Sequence, residues 1–266
     1  MRFGGRAYKI DDMDRLGSLG LDFAEISFPK EDPPAYQVQD WLLKAEKWDL
    51  PCLVHAPKEG NPFDIEQLER LFFPKILRLL DACRELFAPL LTMHFWMDSR
   101  FIPKKVRDQK REILRNMAQE GRQRGVQLCL ENLSESPEDI RSLLTGCPEL
   151  GLTLDIGHGE ILSPHNRSLD FLELWSERIY HVHAHDNHGG DRVEDDLHLP
   201  IGEGKIDFPS IFQALGQAGY RKTVTLEIPH DYIALSVQRL QQILEPLAKE
   251  RDIGLIGKPI RPEEGL

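Results

Sequence analysis

The sequence predicts a closed (β/α)₈ barrel, and three observations support that α/β fold class. Short apolar segments alternate eight times with longer amphipathic segments, which is the pattern of parallel β-α-β units. The chain has 266 residues, of which 41% are hydrophobic, and α/β barrels form one domain at about 250 residues. No G-x-G-x-x-G motif follows the first predicted strand, so an open dinucleotide-binding sheet is disfavoured.

The alternation assigns each element in turn. The strands are predicted at Arg2–Tyr8, Leu21–Ser27, Pro51–Ala56, Leu90–Phe95, Val126–Asn132, Gly151–Ile156, Ile179–His185 and Thr223–Ile228. The clearest helical segments are Val38–Trp48, Ile65–Phe87, Lys104–Arg124, Pro137–Leu144, Leu169–Glu177, Pro209–Gly219 and Ala234–Arg251. We expect residues 1–253 to form a single barrel domain and residues 254–266, rich in Gly, Pro and Glu, to form a C-terminal tail.

Composition disfavours several classes of function. The formal net charge is −11, and an acidic protein gains little from a phosphate backbone, so general nucleic-acid binding is disfavoured. The segment Met1–Arg15 lacks an apolar core, and no stretch reaches the roughly 20 apolar residues of a membrane span. The four cysteines form no C-x-x-C pair. We therefore expect reduced thiols in a cytoplasmic protein that does not associate with membranes.

Seven of the eight predicted strands carry an acidic residue or a histidine near the carboxyl end. These residues are Glu25, His55, His94, Glu131, Asp155, His183 and Glu227. Wherever the alternation can be checked, the polar residue lies on the face opposite the large aliphatic residues. The aliphatic face can then contact the helices, and the polar residues face the barrel axis at the end where barrel active sites lie.

Convergence of several carboxylates in a partly dry cavity requires compensating positive charge. A single histidine at a strand end is more often a core residue than a ligand, but seven such residues on seven strands favour a metal site. Mixed imidazole and carboxylate donors suit Zn²⁺, with Mn²⁺ or Fe²⁺ as alternatives. Two loop motifs add candidates, Asp155-Ile-Gly-His158 and Asp196-Leu-His198. In His181-Val-His183-Ala-His185 the alternation alone does not select the ligand, and His165 and His188 are expected at the surface.

Together these motifs resemble the xylose-isomerase-like barrels, which include sugar isomerases, sugar-phosphate epimerases and endonuclease IV. The resemblance runs over nearly the whole chain, from the first strand to the glutamate of the last. Its elements are Leu53-Val-His55, His94, Leu130-Glu131-Asn132, Asp155-Ile-Gly-His158, His183-Ala-His-Asp186, Asp196-Leu-His198, Ile201-Gly-Glu-Gly204 and Leu226-Glu227.

The resemblance implies a metal ligand set. The isomerases and epimerases use four ligands around one metal, which correspond to Glu131, Asp155, His183 and Glu227. Endonuclease IV adds five more for a total of three zinc ions, and these correspond to His55, His94, His158, Asp196 and His198. In that arrangement Glu131 bridges two ions, and His183 is selected over its two neighbouring histidines.

Three functions follow from this ligand set. The leading hypothesis is metal-cluster hydrolysis of a phosphoester, because a multi-metal site activates water and clamps the reacting oxygens. The alternative is a sugar or sugar-phosphate isomerase or epimerase, in which Glu131 and Glu227 are the catalytic base and acid. The third is a catalytically idle barrel that serves as a binding module. Metal stoichiometry discriminates the first two.

The loops favour a small phosphorylated or sugar-like substrate over duplex DNA. Endonuclease IV inserts aromatic and aliphatic side chains into DNA, whereas residues 56–61 here contain no such wedge. The loop cations are scattered, enough to pair one phosphate but not to follow a strand; they are Arg6, Lys58, Arg100 and Arg192. The residues predicted to contact the substrate are Arg6, Lys58, Trp96 and His185.

Overall fold

A computed structural model describes residues 1–28 and 35–249, and eight parallel strands in these residues close into a barrel in sequential order. The strands are β1 (Arg2–Ala7), β2 (Phe23–Ser27), β3 (Cys52–His55), β4 (Leu90–Met93), β5 (Gln127–Glu131), β6 (Gly151–Asp155), β7 (Ile179–Ala184) and β8 (Thr223–Leu226). The predicted fold class is confirmed. Several strands end one or two residues before the predicted limit, so that His94 and Glu227 stand just beyond the last paired residue.

Helices connect successive strands and cover the barrel. They are α1 (Ile10–Ser18), α2 (Ala35–Trp48), α3 (Ile65–Gln67), α4 (Phe73–Glu85), α5 (Lys104–Gln123), α6 (Arg141–Gly146), α7 (Ser168–Trp175), α8 (Phe208–Gln217) and α9 (Ile233–Lys249). The predicted segment at 65–87 is interrupted by a π-helical turn, Leu68–Phe72, between α3 and α4. The predicted tail, residues 254–266, lies outside the described residues.

Helix α1 was not among the predicted helices. It is short and polar, with one narrow apolar face on which Met13 and Leu16 are buried three residues apart. Asp12 accepts hydrogen bonds from the backbone N–H of Tyr8 and Lys9, at 2.8 and 3.0 Å. The Asp12 carboxylate therefore caps the start of the helix.

The barrel interior is layered. A separate buried cluster fills the lower part, and it comprises Phe23, Leu53, Leu90 and Cys129. Because side chains alternate along a strand, the residue two positions further on points the same way. Those residues are Glu25, His55, Thr92 and Glu131. The alternating pleat therefore places a polar layer directly above an apolar floor.

Elsewhere the structure agrees with the sequence-based expectations. All four cysteines are free and buried. In the parts of the chain described here, no helix has the length and apolar character needed to cross a membrane. Leu128 and Leu130 on β5 belong to the large core cluster shared with the helices, as the alternation predicts.

Candidate metal centre

Four polar side chains converge at the carboxyl ends of β5, β6, β7 and β8. We call them the inner group, and they are Glu131, Asp155, His183 and Glu227. One donor atom of each lies within 4.8 Å of the others, and all four residues are buried. Parallel pairing sets this arrangement, since Asp155 lies beside His183 in the β6–β7 register.

Two atoms of the inner group are buried without a hydrogen-bond partner in the described structure, Glu131 Oε1 and His183 Nδ1. They lie 3.4 Å apart. Buried polar atoms are almost always paired, because an unpaired one loses its hydration without replacement. An anionic oxygen and an imidazole nitrogen that face each other are donors that divalent metals accept. The inner group therefore fits a divalent cation.

Glu131 faces two sets of imidazoles, one with each carboxylate oxygen. Its Oε2 lies 2.8 Å from His55 Nε2 and 3.1 Å from His94 Nε2. Its Oε1 faces His183 Nδ1 and, at 3.2 Å, His158 Nδ1. We call His55, His94 and Glu131 the side group. Glu131 is shared between the inner and side groups, in the position expected of a bridging ligand.

A further set of donors lies on the loops beyond β6 and β7. We call it the outer group, and it comprises His158, His185, Asp196 and His198. Asp196 Oδ2 lies 3.2 Å from His158 Nε2 and 3.1 Å from His198 Nε2. His198 has a φ of 47°, a left-handed conformation that non-glycine residues rarely adopt. Such strain persists where the surrounding structure determines the conformation.

Asp186, at the end of β7, holds the loop that carries Asp196 and His198. Its Oδ2 accepts hydrogen bonds from the backbone N–H of Gly202 and Gly204, both at 2.9 Å. A Cβ atom at Gly204 would lie 2.3 Å from Asp186 Oδ1, so a side chain is excluded there. The Gly-Glu-Gly segment thus anchors the outer group to the barrel by backbone contacts.

Glu25 on β2 orients the His183 ring through Nε2, the nitrogen opposite the one that faces the inner group. Its Oε1 and Oε2 lie 3.2 and 3.0 Å from His183 Nε2, and its side chain is fully buried. A carboxylate that accepts the distal N–H of a metal-binding histidine fixes the ring and its tautomer. With Nε2 engaged by Glu25, Nδ1 of His183 is left to face the inner group.

Arg6 on β1 forms an ion pair with Glu227 at the end of β8. Its Nε also donates to Ser27 Oγ at 2.9 Å, which holds the guanidinium across the neighbouring strand. Both partners of the ion pair are buried. Arg6 therefore supplies part of the positive charge that the carboxylates of the site require.

The charges at the centre hold one another in their ionised forms. Burial opposes ionisation of Glu131, but the His94 and His183 imidazoles hold the pKa of its carboxyl well below its usual range. Burial likewise disfavours the imidazolium of His183, yet Glu25 and Glu131 hold its pKa well above its usual range. Buried carboxylates are thus ionised at neutral pH, the form that binds metals, whereas His183 would release its proton when a cation binds.

A cavity of about 410 Å³ opens above the metal-ligand candidates. Lys58 and Trp96 line its wall with Arg6, and donors from all three groups line its base. Trp96 is fixed by a 2.9 Å hydrogen bond from Nε1 to Ser134 Oγ and stacks on Phe101 at a centroid distance of 5.2 Å. The cavity is large enough for a small molecule and combines apolar walls with a charged base.

A buried ion pair joins the two loops that carry Lys58 and Trp96. Lys110 Nζ on α5 donates to Glu59 Oε2 at 2.7 Å and to the Trp96 carbonyl at 2.8 Å. Glu59 Oε1 accepts the Trp96 backbone N–H at 2.7 Å. Burial raises the pKa of Glu59 and lowers that of Lys110, although each partner opposes the shift. The pair fixes the cavity wall to the outer helix layer.

The comparison with protein families identifies the family of this barrel. A family described as "Xylose isomerase-like TIM barrel" matches residues 13–251. The chain belongs to this family. An uncharacterized protein of Methanocaldococcus jannaschii is 28% identical over 200 residues, which are 68% of this chain and 66% of that relative. The match thus covers slightly less than two thirds of the relative's length.

Solved structures of other proteins share the architecture of this xylose isomerase-like barrel. A D-tagatose 3-epimerase-like protein is 23% identical with a TM-score of 0.81, over 94% of this chain and 99% of its own. A D-psicose 3-epimerase from Clostridium cellulolyticum H10, solved with D-tagatose, is 15% identical with a TM-score of 0.75, over 92% and 100%. At these identities the likeness establishes the fold.

The structure brings together all nine residues predicted to bind metal. Each belongs to one or more of the groups described above, which comprise His55, His94, Glu131, Asp155, His158, His183, Asp196, His198 and Glu227. His181 is directed elsewhere, with Nδ1 2.7 Å from Thr223 Oγ1 and Nε2 2.9 Å from Thr225 Oγ1. His165 and His188 are exposed, as predicted.

Two residues have surroundings that the sequence analysis did not anticipate. Glu25 was recognised as a strand-end acid but was given no role, because the strand pattern does not reveal its partner across the barrel. His185 was predicted to contact the substrate. Among the described residues it is fully buried, absent from the cavity lining and stacked on His198 at a centroid distance of 3.9 Å.

Proposed function

We propose that this xylose isomerase-like barrel is a divalent-metal-dependent isomerase or epimerase of a small sugar-like substrate. One observation carries the proposal, namely that the carboxylates of Glu131 and Glu227 meet in the inner group, where Glu227 also lines the cavity. A carboxylate pair at one site can serve as base and acid on the same substrate. The neighbouring structures, which include a D-tagatose 3-epimerase-like protein and a D-psicose 3-epimerase, support this alternative over hydrolysis.

The inner group would hold the metal through Glu131, Asp155, His183 and Glu227. When bound there, a divalent ion would supply Lewis-acid polarisation of a sugar carbonyl and its adjacent hydroxyl. Glu131 would then remove a proton from the carbon next to the carbonyl, and Glu227 in its protonated form would deliver one proton to the opposite face, with the two roles exchanged in the reverse direction. Arg6, paired with Glu227, would orient that carboxylate and neutralise its charge.

The cavity wall suits a polar, compact ligand. Trp96 presents an aromatic surface, and Lys58 presents a cation on the loop after β3. An aromatic ring can pack against the apolar face of a sugar while hydroxyls remain free to bind polar groups. Lys58 would pair with an anionic substituent such as a phosphate. The wall therefore suits a ketose or a sugar phosphate better than a long polymer.

One observation favours a second function, hydrolysis of a phosphoester by a metal cluster. Three donor groups lie side by side, and Glu131 belongs to both the inner and the side group. One ion suffices for isomerisation, whereas several adjacent ions serve to activate water and clamp a phosphoryl group. The number of ions that the protein needs for turnover separates the two functions.

The experiment combines metal analysis with substrate assays on the full chain. Purified protein reconstituted with Zn²⁺, Mn²⁺ or Fe²⁺ is incubated with a panel of ketoses and sugar phosphates, and epimerised or isomerised products are detected by NMR. We expect turnover that is lost in Glu131→Gln and in Glu227→Gln, with Arg192→Gln as the exposed control. Phosphate release without isomerisation would favour the hydrolase.

A parallel assay tests the DNA alternative. Duplex DNA with one abasic site is incubated with the same metal-loaded protein at low salt, where phosphate contacts are strongest. We expect no incision. Efficient nicking that disappears in Glu227→Gln would make the protein a nuclease. It would contradict both the proposed small substrate and the proposed isomerase activity.

A further inference from the structure

The loops after β4, β5, β6 and β7 form one continuous side of the cavity, because the barrel arranges its strands in sequential order. Apart from the metal-ligand candidates and Ser134, the described residues that line the cavity from these loops have large apolar or aromatic side chains. We call them the apolar wall, and they are Trp96, Leu133, Ile161, Leu162 and Val193. The cations of the lining, Arg6 and Lys58, lie on β1 and on the loop after β3.

The hydrogen-bond donors of the apolar wall are already engaged within the protein. The indole Nε1 of Trp96 donates to Ser134 Oγ at 2.9 Å, and Ser134 donates its own hydroxyl hydrogen to Asp98 Oδ2 at 2.8 Å. The backbone N–H of Leu133 donates to Glu135 Oε2 at 2.7 Å. These groups therefore have no hydrogen left to donate to a ligand oxygen.

Two arginines outside the described cavity lining occupy carbonyl oxygens of the same side. Arg100 donates from Nη1 to the Leu162 carbonyl at 2.7 Å and from Nη2 to the Ser134 carbonyl at 2.8 Å. Arg167 donates from Nη2 to the Leu162 carbonyl at 3.3 Å and from Nη1 to the Ser134 carbonyl. Each carbonyl thus accepts two hydrogen bonds, which uses both of its lone pairs. These carbonyls cannot accept a hydrogen bond from a sugar hydroxyl.

Leu162 is held in a backbone conformation that leucine rarely adopts. Its φ of 54° lies in the left-handed region, where Gly and Asn are more common. Its N–H donates to the Gly190 carbonyl at 2.8 Å, and the two arginines hold its own carbonyl. Such strain persists where the surrounding structure determines the conformation. These contacts place an apolar side chain on the cavity at a position where Gly or Asn would fit the backbone better.

We infer that the apolar wall binds an apolar substituent of the substrate, such as the terminal methyl group of a deoxy sugar. The inference rests on the proposed function and specifies its substrate class. Oxygens at the reacting end would lie over the metal-ligand candidates, and the end without a hydroxyl would pack on the wall. A hydroxyl or phosphate against the wall would lose its water without gaining a protein partner, which costs affinity. An anionic group of the substrate would lie near Lys58 instead.

Two polyols test the wall without any turnover. Fucitol has a terminal methyl group where galactitol has a hydroxymethyl group, and neither has a carbonyl that can be isomerised. Their dissociation constants for the full, metal-loaded chain are measured by isothermal titration calorimetry. We expect fucitol to bind roughly 10- to 100-fold more tightly, because hydrophobic pockets typically discriminate by such factors. This comparison uses the wild-type protein alone.

Leu162→Asn changes the wall from apolar to polar while it keeps a residue that tolerates the left-handed conformation. The preference for fucitol should fall to nearly equal binding of the two polyols. Leu169→Asn on α7 is the matched control, since Leu169 is exposed and outside the described cavity lining, and it should keep the wild-type preference. Equal binding of the two polyols to wild type, no binding of either, or a preference that survives Leu162→Asn would overturn the inference.

The failure of this inference and the failure of the proposed function are distinguishable. A protein that epimerises ketoses but binds the two polyols equally refutes the apolar subsite and leaves the isomerase in place. A protein that prefers fucitol through Leu162 but converts no ketose refutes the isomerase and leaves the apolar subsite in place.

Discussion

Glu25 Oε2 lies 3.0 Å from His183 Nε2, so a carboxylate on β2 orients a histidine on β7 across the interior of the barrel. The two residues are 158 positions apart in the chain. His181 shares the same carboxylate at 3.3 Å but also contacts two threonine hydroxyls. Glu25 therefore acts on the inner group through His183 without lining the cavity.

Replacing Glu25 by Gln should weaken metal binding while the fold is retained. Gln has nearly the same volume and can still accept the N–H of His183, but it loses the negative charge that increases the basicity of the ring. Loss of such a partner typically costs about 10- to 100-fold in metal affinity. Competition with a chromogenic chelator measures the change. His181→Ala, which removes the other imidazole beside Glu25, should leave the metal content unchanged.

Glu131→Gln should weaken the binding of more metal ions than Glu227→Gln does. One oxygen of Glu131 faces His94 in the side group, and the other faces His183 in the inner group. Glu227 shares candidate donor sets with His183 and His55 but shares none with His94. Elemental analysis after dialysis should show a larger loss of metal in the Glu131 variant. Equal losses in the two variants would show that Glu131 serves a single ion.

Arg6→Met should reduce turnover without removing the metal. The guanidinium pairs with Glu227 and donates to Ser27, so its loss leaves the carboxylate that we propose to be catalytic without a fixed orientation. Charge-assisted hydrogen bonds contribute about 1.5–3 kcal/mol, which corresponds to roughly 10- to 100-fold in rate. Arg192→Met is the matched control, because Arg192 is exposed. Unchanged turnover in Arg6→Met would exclude this orienting role.

Replacing either Lys110 or Glu59, which form a buried ion pair, should lower the free energy of unfolding. Removal of one partner of a buried ion pair leaves the other charge without compensation and typically costs about 3–5 kcal/mol. Lys110→Met and Glu59→Gln should each lower the free energy of unfolding in urea by about that amount. The double variant should lose less than the sum of the two, since neither charge is then left alone. Additive losses would mean that the two residues are not coupled.

The candidate site was predictable to the extent that it follows strand alternation. Glu131 and His55 stand two residues beyond the apolar residues of the barrel floor, and that spacing is visible in the sequence. His158 and Asp196 were found as members of acid–imidazole loop motifs, and the resemblance to a known family placed them in a ligand set, because loop positions have no such period. The buried position of His185 was not predicted in this way, since its neighbours come from β6 and from the loop beyond β7.

The sequence by itself determined the eight-strand barrel and the identity of the polar residues at its carboxyl end, because both follow from local periodicity. Only the tertiary structure decided which of these residues meet. The 3.0 Å contact of Glu25 with His183 and the ion pair of Arg6 with Glu227 join strands that are distant in sequence. Such contacts depend on barrel closure and on side-chain direction within the interior, and neither leaves a periodic trace in the chain.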